Sequence, residues 1–140
     1  MATSPQAPDN RNRAVVAFLD GRRLKGYILN FSAQKDRFRI FPESDSTQTG
    51  GTDVEIKDLK AIFFARDFAG DPKHQESHEI APNVQGRKTE VTFRDGEKLV
   101  GTTDAYNPKK IGFFVFPCDP RSNNLRVFVV LKNIQELRWL

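Results

Sequence analysis

The nonapeptide Phe18-Leu19-Asp20-Gly21-Arg22-Arg23-Leu24-Lys25-Gly26 returns 75 residues later as Phe93-Arg94-Asp95-Gly96-Glu97-Lys98-Leu99-Val100-Gly101. The register then holds without a gap to the last residue. Val16 falls on Val91, Phe38 on Phe113, Phe41-Pro42 on Phe116-Pro117, Val54 on Val129 and Lys57 on Lys132. Ile62 and Phe64 fall on Leu137 and Trp139. Matches confined to apolar and turn-forming positions are what a duplicated fold leaves behind. Each copy has fewer than 60 residues, and a unit that small buries only about 60% of its unfolded surface. The two copies are therefore expected to pack on each other, and twelve Phe in a chain that is 38% hydrophobic can supply the core.

Within a copy the period is that of β-structure. Val16 and Phe18 alternate up to Asp20-Gly21, a two-residue hairpin signal. A second strand runs from Arg22 toward Phe31, with Gly26 marking a bend. Arg37–Phe41 is the third strand, 43–53 a polar loop and Val54–Ile56 a short fourth strand. Lys57-Asp58-Leu59 reads as one helical turn before a fifth strand at 60–64. The second copy repeats this order, with Ile134, Leu137 and Trp139 completing its core. The expected fold is all-β, two tandem five-stranded small barrels at 13–66 and 88–140. Residues 1–12 read as a disordered arm and 67–87, rich in Pro and polar residues, as a linker.

Charge and cysteine content narrow the setting. Residues 13–66 carry ten Lys/Arg against seven Asp/Glu, and residues 88–140 nine against six. This mild basicity permits an anionic partner without demanding one. A single cysteine, Cys118, excludes an internal disulfide. No apolar run reaches the roughly 18–20 residues of a membrane-spanning helix, and the opening residues lack the basic and apolar regions of a secretory signal. The expectation is a cytoplasmic chain with no membrane partner.

The string from Val16 to Gly26, apolar-x-apolar-x-Asp-Gly-Arg-x-Leu-x-Gly, resembles the first motif of the Sm-like fold, a bent SH3-like barrel. The resemblance extends to both copies, although Glu97 stands where the first has Arg22. It implies single-stranded RNA binding in a ring of subunits, through an Asp or Asn after the bend and an Arg-Gly before the last strand. The corresponding turns here are Lys57-Asp58-Leu59 and Lys132-Asn133-Ile134, without Arg-Gly. The pattern also resembles an uncharacterised bacterial domain family associated with signalling modules, which implies a regulatory setting. Asn30-Phe31-Ser32 is similar to part of the PilZ motif for cyclic dinucleotides, but Arg11-Asn12-Arg13 has the wrong spacing for its arginine pair.

Three groups of side chains stand out. Arg22, Arg23, Lys25, Lys35, Arg37 and Arg39 cluster on the first hairpin and third strand, near Phe31 and Phe41. Basic residues interleaved with aromatics mark single-strand nucleic-acid surfaces, and an ordinary solvated face looks the same. Phe63 and Phe64 are adjacent on one strand and cannot share a face. Together with Phe114 and Phe128 they form an aromatic surplus, expected to line the contact between the barrels or between protomers. His74 and His78 have helical ligand spacing, yet they sit in a Pro-flanked linker. Both are expected to be solvated, with no metal and no cofactor.

The repeated acids Asp20 and Asp95 are accounted for by turn chemistry, so no catalytic residues are assigned and the chain is not expected to be an enzyme. The first functional expectation is a non-catalytic interaction protein with a protein partner. That partner would dock by strand addition at a sheet edge, or on the aromatic patch. The second is an RNA-binding Sm-like protein, a homo-oligomeric ring of tandem units. The third is cyclic dinucleotide binding.

Overall fold

The computed structural model describes residues 13–29, 31–42, 51–66, 72–80 and 86–140. The arm at 1–12, most of the polar loop 43–53, parts of the linker and Asn30 of the PilZ-like string lie outside the described residues. Ten strands follow one another: β1 (Arg13–Phe18), β2 (Arg23–Ile28), β3 (Arg37–Pro42), β4 (Thr52–Glu55), β5 (Leu59–Ala65), β6 (Arg87–Phe93), β7 (Lys98–Thr103), β8 (Gly112–Pro117), β9 (Asn124–Val130) and β10 (Ile134–Trp139). A single 3-10 turn precedes the fifth strand of each half, at Ile56–Asp58 and Leu131–Asn133.

Both Asp-Gly turns form, with a three-residue loop in place of the expected two-residue turn. The Phe18 N–H donates to the Arg22 carbonyl at 2.9 Å and the Gly21 N–H to the Phe18 carbonyl at 3.1 Å. The second copy repeats this pattern. Gly21 and Gly96 take positive φ angles of 96° and 93°, the glycine that closes a three-residue hairpin loop with a bulge. Asp20 Oδ1 accepts the Arg22 N–H and Asp95 Oδ1 the Glu97 N–H, at 2.9 and 3.0 Å. The repeated aspartates thus hold the turns themselves.

The fold is all-β, and its ten strands form one open antiparallel sheet in the order β10-β6-β7-β8-β9-β5-β1-β2-β3-β4. The expected pair of separate sheets is joined by β5, which pairs with β1 on one side and with β9 on the other. Ile62 stands opposite Phe128 and Phe63 opposite Val127. Every residue of β5 is buried, because both of its faces are covered.

Two hydrophobic clusters fill the interior, and each draws on both halves. Ile62 and Phe64 of β5 join Val16, Ile28, Ile40 and Ile56 in the first, with Phe128 and Val130 added from β9. Ala61 and Phe63, the alternate residues of β5, join Val91, Phe93, Phe113 and Val115 in the second, with Val127 and Val129. Adjacent residues on a strand point to opposite faces, and here each face of β5 and β9 has its own core. Buried apolar surface stabilises by about 25 cal/mol per Å², and the buried Phe63, Phe64 and Phe128 with the half-buried Phe114 place such surface at this junction.

Candidate functional site

The predicted basic face lies entirely on the surface: Arg22, Arg23, Lys25, Lys35, Arg37 and Arg39 are all exposed. Its arginines have local carboxylate or aromatic partners. Arg22 Nε is 2.8 Å from Asp20 Oδ2, and its guanidinium lies 4.5 Å from the centre of the Phe18 ring. Arg37 lies between Asp36 and Glu55, at 3.9 and 3.7 Å. Arg39 bonds Asp53 on the neighbouring strand through Nε, at 3.0 Å. That hydrogen bond, with the attraction between the charges, lowers the Asp53 carboxyl and raises the Arg39 guanidinium. Arg23 stands 5.9 Å from the Phe63 ring centre. Alternating acids on β4 thus meet alternating arginines on β3 across the register Arg37–Glu55 and Arg39–Asp53.

The aromatic residues lie at the join of the two halves. Phe63, Phe64 and Phe128 are buried, and Phe114 is half-buried against the first cluster. Phe31 meets Phe38, Phe64, Phe114 and Phe128 edge-on, with centroid distances of 5.1–5.9 Å. The Arg126 guanidinium covers this group, 4.6 Å from Phe64 and 4.3 Å from Phe114. A docking surface made of these four residues would therefore have to open the core.

What the sheet leaves available is its two ends. β4, four residues long, pairs only with β3 among the described residues, and its Asp53 and Glu55 are engaged by the arginines already described. β10 is six residues long and, among the described residues, pairs only with β6. The Leu140 N–H donates to the Lys88 carbonyl at 2.9 Å, and the Arg138 carbonyl accepts the Thr89 hydroxyl at 3.0 Å. Because a strand's backbone groups alternate sides, those of Leu137 and Trp139 point away from β6, along the open edge.

Trp139 was expected in the core, but its side chain sits at this edge and is 36% exposed. It meets Tyr106 edge-on at 5.1 Å, and the Arg87 guanidinium lies 3.6 Å from its ring centre. Its repeat counterpart Phe64 is buried in the first cluster, against Phe31 and Phe114 and beside β9. Sequence alignment of the copies therefore predicts the wrong burial for Trp139. The stack of Arg87, Trp139 and Tyr106 has no short-range sequence signal, because it joins three distant segments.

A second polar group forms where the 72–80 segment meets the loop after β8. His74 is half-buried there, against the expectation that both histidines are solvated, whereas His78 is exposed. His74 Nε2 lies 2.8 Å from Asp119 Oδ2 and 3.5 Å from Glu76 Oε1. Asp119 is 6% exposed, and it also accepts the main-chain N–H groups of Ser77 and Arg121, each at 2.8 Å. Those two backbone bonds, with a smaller contribution from His74, hold its carboxyl below the usual range. The neighbouring Cys118 thiol donates to the Ser77 carbonyl across 3.3 Å, and burial pushes its pKa up. Sequence reading missed Asp119 because it lies 45 residues from His74.

Among the described residues no helix is long and apolar enough to cross a membrane. No curated protein and no solved structure matches the chain. Residues 10–140 match the Family of unknown function (DUF6982), and the chain belongs to that family.

Proposed function

We propose that the protein is a non-catalytic interaction module, two small barrels fused edge to edge, that captures an extended polypeptide segment on the outer side of β10. The observation that carries this reading is the contrast between repeat-equivalent strands. β5 is paired on both sides, whereas β10 is paired on one. The fifth strand of this repeat thus accepts an added antiparallel strand within the same molecule, and β10 offers the same edge outward. Strand addition derives its affinity from main-chain hydrogen bonds and its specificity from pockets for alternate side chains. The Leu137 and Trp139 backbone groups supply the first. The Trp139–Tyr106 pair under Arg87 supplies an apolar, cation-capped contact for one peptide side chain.

The β4 end is a poorer docking element, being shorter and lined by charges that already satisfy one another. The same pairing reduces the free positive charge that phosphate binding needs, so RNA is the weaker reading.

A displayed library of random peptides, selected on the intact protein and counter-selected on Trp139→Pro, tests the proposal. Proline at that position removes the outward N–H and the indole together. Edge positions tolerate proline where the N–H faces solvent, and unfolding of the variant by urea checks that it remains folded. Enriched peptides should be extended and β-branched, bind the variant at least about tenfold more weakly, and slow hydrogen exchange at Leu137 and Trp139. Peptides that bind both proteins equally, or no enrichment, would refute it.

A further inference from the structure

We propose that His74, Glu76 and Asp119 form a binding site for a divalent transition-metal ion of the zinc class, which ties the segment between the two halves to the loop after β8. The three donor atoms, His74 Nε2, Glu76 Oε1 and Asp119 Oδ2, lie within 4.8 Å of one another. The separations from Nε2 are 2.8 Å to Asp119 and 3.5 Å to Glu76. Bonds of 2.0–2.2 Å in tetrahedral geometry place neighbouring donors roughly 3.3–3.6 Å apart, so Glu76 already stands at ligand separation from Nε2 and Asp119 must draw back by about half an ångström to admit the ion. Imidazole nitrogen with carboxylate oxygens is a donor set for zinc and its first-row neighbours.

Hydrogen bonding alone does not account for this group. One imidazole nitrogen carries at most one proton, and a His–Asp hydrogen bond needs a single carboxylate. Here a second carboxylate, Glu76, faces the same nitrogen. Two negative groups converging on one ring nitrogen is an arrangement that suits a doubly charged ion. Asp119 is also oriented as metal ligands are. Ser77 and Arg121 fix its carboxylate through their main-chain N–H groups, which leaves the second lone pair of Oδ2 for the ion. An open cleft bordered by Lys73, Gln75 and Arg121 adjoins the cluster and leaves room for a water as fourth ligand. Cys118 does not compete. Burial raises its thiol and Ser77 accepts its hydrogen, whereas a metal ligand must be the thiolate.

The ion takes the lone pair of Nε2, so the imidazole then carries its proton on Nδ1, and binding weakens in acid, where protons compete for the ligands. The test is calorimetric titration of the chelator-stripped full-length protein with zinc chloride, with thermal unfolding followed on the same samples. One ion should bind per chain and raise the unfolding temperature. Removing one ligand should weaken binding about tenfold or more in His74→Ala and in Glu76→Gln. Glu76 is exposed, so the Glu76→Gln protein keeps its fold and remains informative if His74→Ala does not. His78→Ala and Cys118→Ser should bind as the parent does. Absence of stoichiometric heat, equal affinity in the Glu76→Gln protein, or loss of binding in the His78 or Cys118 variant would overturn the assignment.

Discussion

The side-chain amide of Asn133 donates to the main-chain carbonyl of Leu59 across 2.8 Å, joining residues 74 positions apart. The same nitrogen reaches the Lys57 carbonyl at 2.9 Å. Asn133 is buried, and it thereby caps the 3-10 turn of the opposite half. Its repeat counterpart is Asp58, which is exposed. The two halves are therefore not interchangeable at this position, because only an amide can give two hydrogens to two carbonyls.

Replacing Asn133 separates shape from hydrogen bonding. Asn133→Ala leaves the buried Leu59 carbonyl and the part-buried Lys57 carbonyl without their donor and should cost about 2 kcal/mol, the usual range for an unsatisfied buried group being roughly 1–3. Asn133→Asp, nearly the same shape, should cost more, since a carboxylate would face two carbonyl oxygens in a site closed to water. Urea unfolding of the three proteins at neutral pH measures the order, and an Asp variant as stable as the parent would mean that this amide does not hold the junction.

Lys60 supplies a second link between the halves. Its buried ammonium reaches across to the second hairpin, 2.7 Å from Asp95 Oδ2 and in contact with Glu97, and lies 4.9 Å from the Phe93 ring centre. The Lys60 hydrogen bond, with the Glu97 N–H second, lowers the Asp95 carboxyl. A carboxyl lowered on folding adds stability above its unfolded value, roughly 3.9, and loses it as pH falls through the folded value. Lys60→Met should therefore be less stable than the parent by about 1 kcal/mol at pH 7, both acids being half-exposed. Near pH 3 the difference should be smaller, because the lowered Asp95 carboxyl gives up its contribution as pH falls toward and through its folded value. Unfolding temperatures at the two pH values test the sign.

Gly26 and Gly101 occupy equivalent places in β2 and β7. A Cβ on Gly26 would stand 2.1 Å from the Phe41 carbonyl oxygen, and one on Gly101 would stand 2.1 Å from that of Phe116. Both obstacles are backbone, which cannot move aside as a side chain can. Gly26→Ala and Gly101→Ala should each cost about 2 kcal/mol or more, as overpacking does, and by similar amounts. Equilibrium unfolding of the two variants checks this, and a mild effect in only one would mean that the copies diverge here.

What was legible in the sequence follows from these residues. Strand order within each half, the turns at Asp20 and Asp95 and the pairs of glycines are local and occur twice, so repetition exposed them. Phe63-Phe64 pointed to a contact beyond a single core, and on β5 they face the two different clusters. The identity of its second neighbour was not legible, because alternation reports burial and not which strand supplies it. For the same reason Trp139 looked like a core residue: its counterpart Phe64 is covered by β9, and nothing among the described residues pairs with that side of β10. The His74–Asp119 contact and the stack of Arg87 on Trp139 join segments far apart in sequence, beyond the reach of any short motif.

The outer edge of β10 bears on self-association as well. Glu136 and Arg138 occupy the repeat positions of Ala61 and Phe63, which on β5 are buried in the second cluster against β9. On β10 both charged residues are exposed. If a second copy added its β4 as β9 adds to β5, it would enclose two charges where the internal junction encloses a methyl and a phenyl group. Charged residues on an edge strand guard against pairing with a whole second copy, which, unlike a short peptide, would cover their side chains and desolvate Glu136 together with the Arg138–Glu90 pair, 3.3 Å apart. The parent should therefore keep a monomer's mass from low-micromolar to near-millimolar concentration. The double variant Glu136→Ala with Arg138→Phe restores the composition of β5 and should show a mass that rises with concentration, as read by light scattering behind size exclusion. If the parent itself assembles, or the variant stays monomeric, these charges are not what ends the sheet.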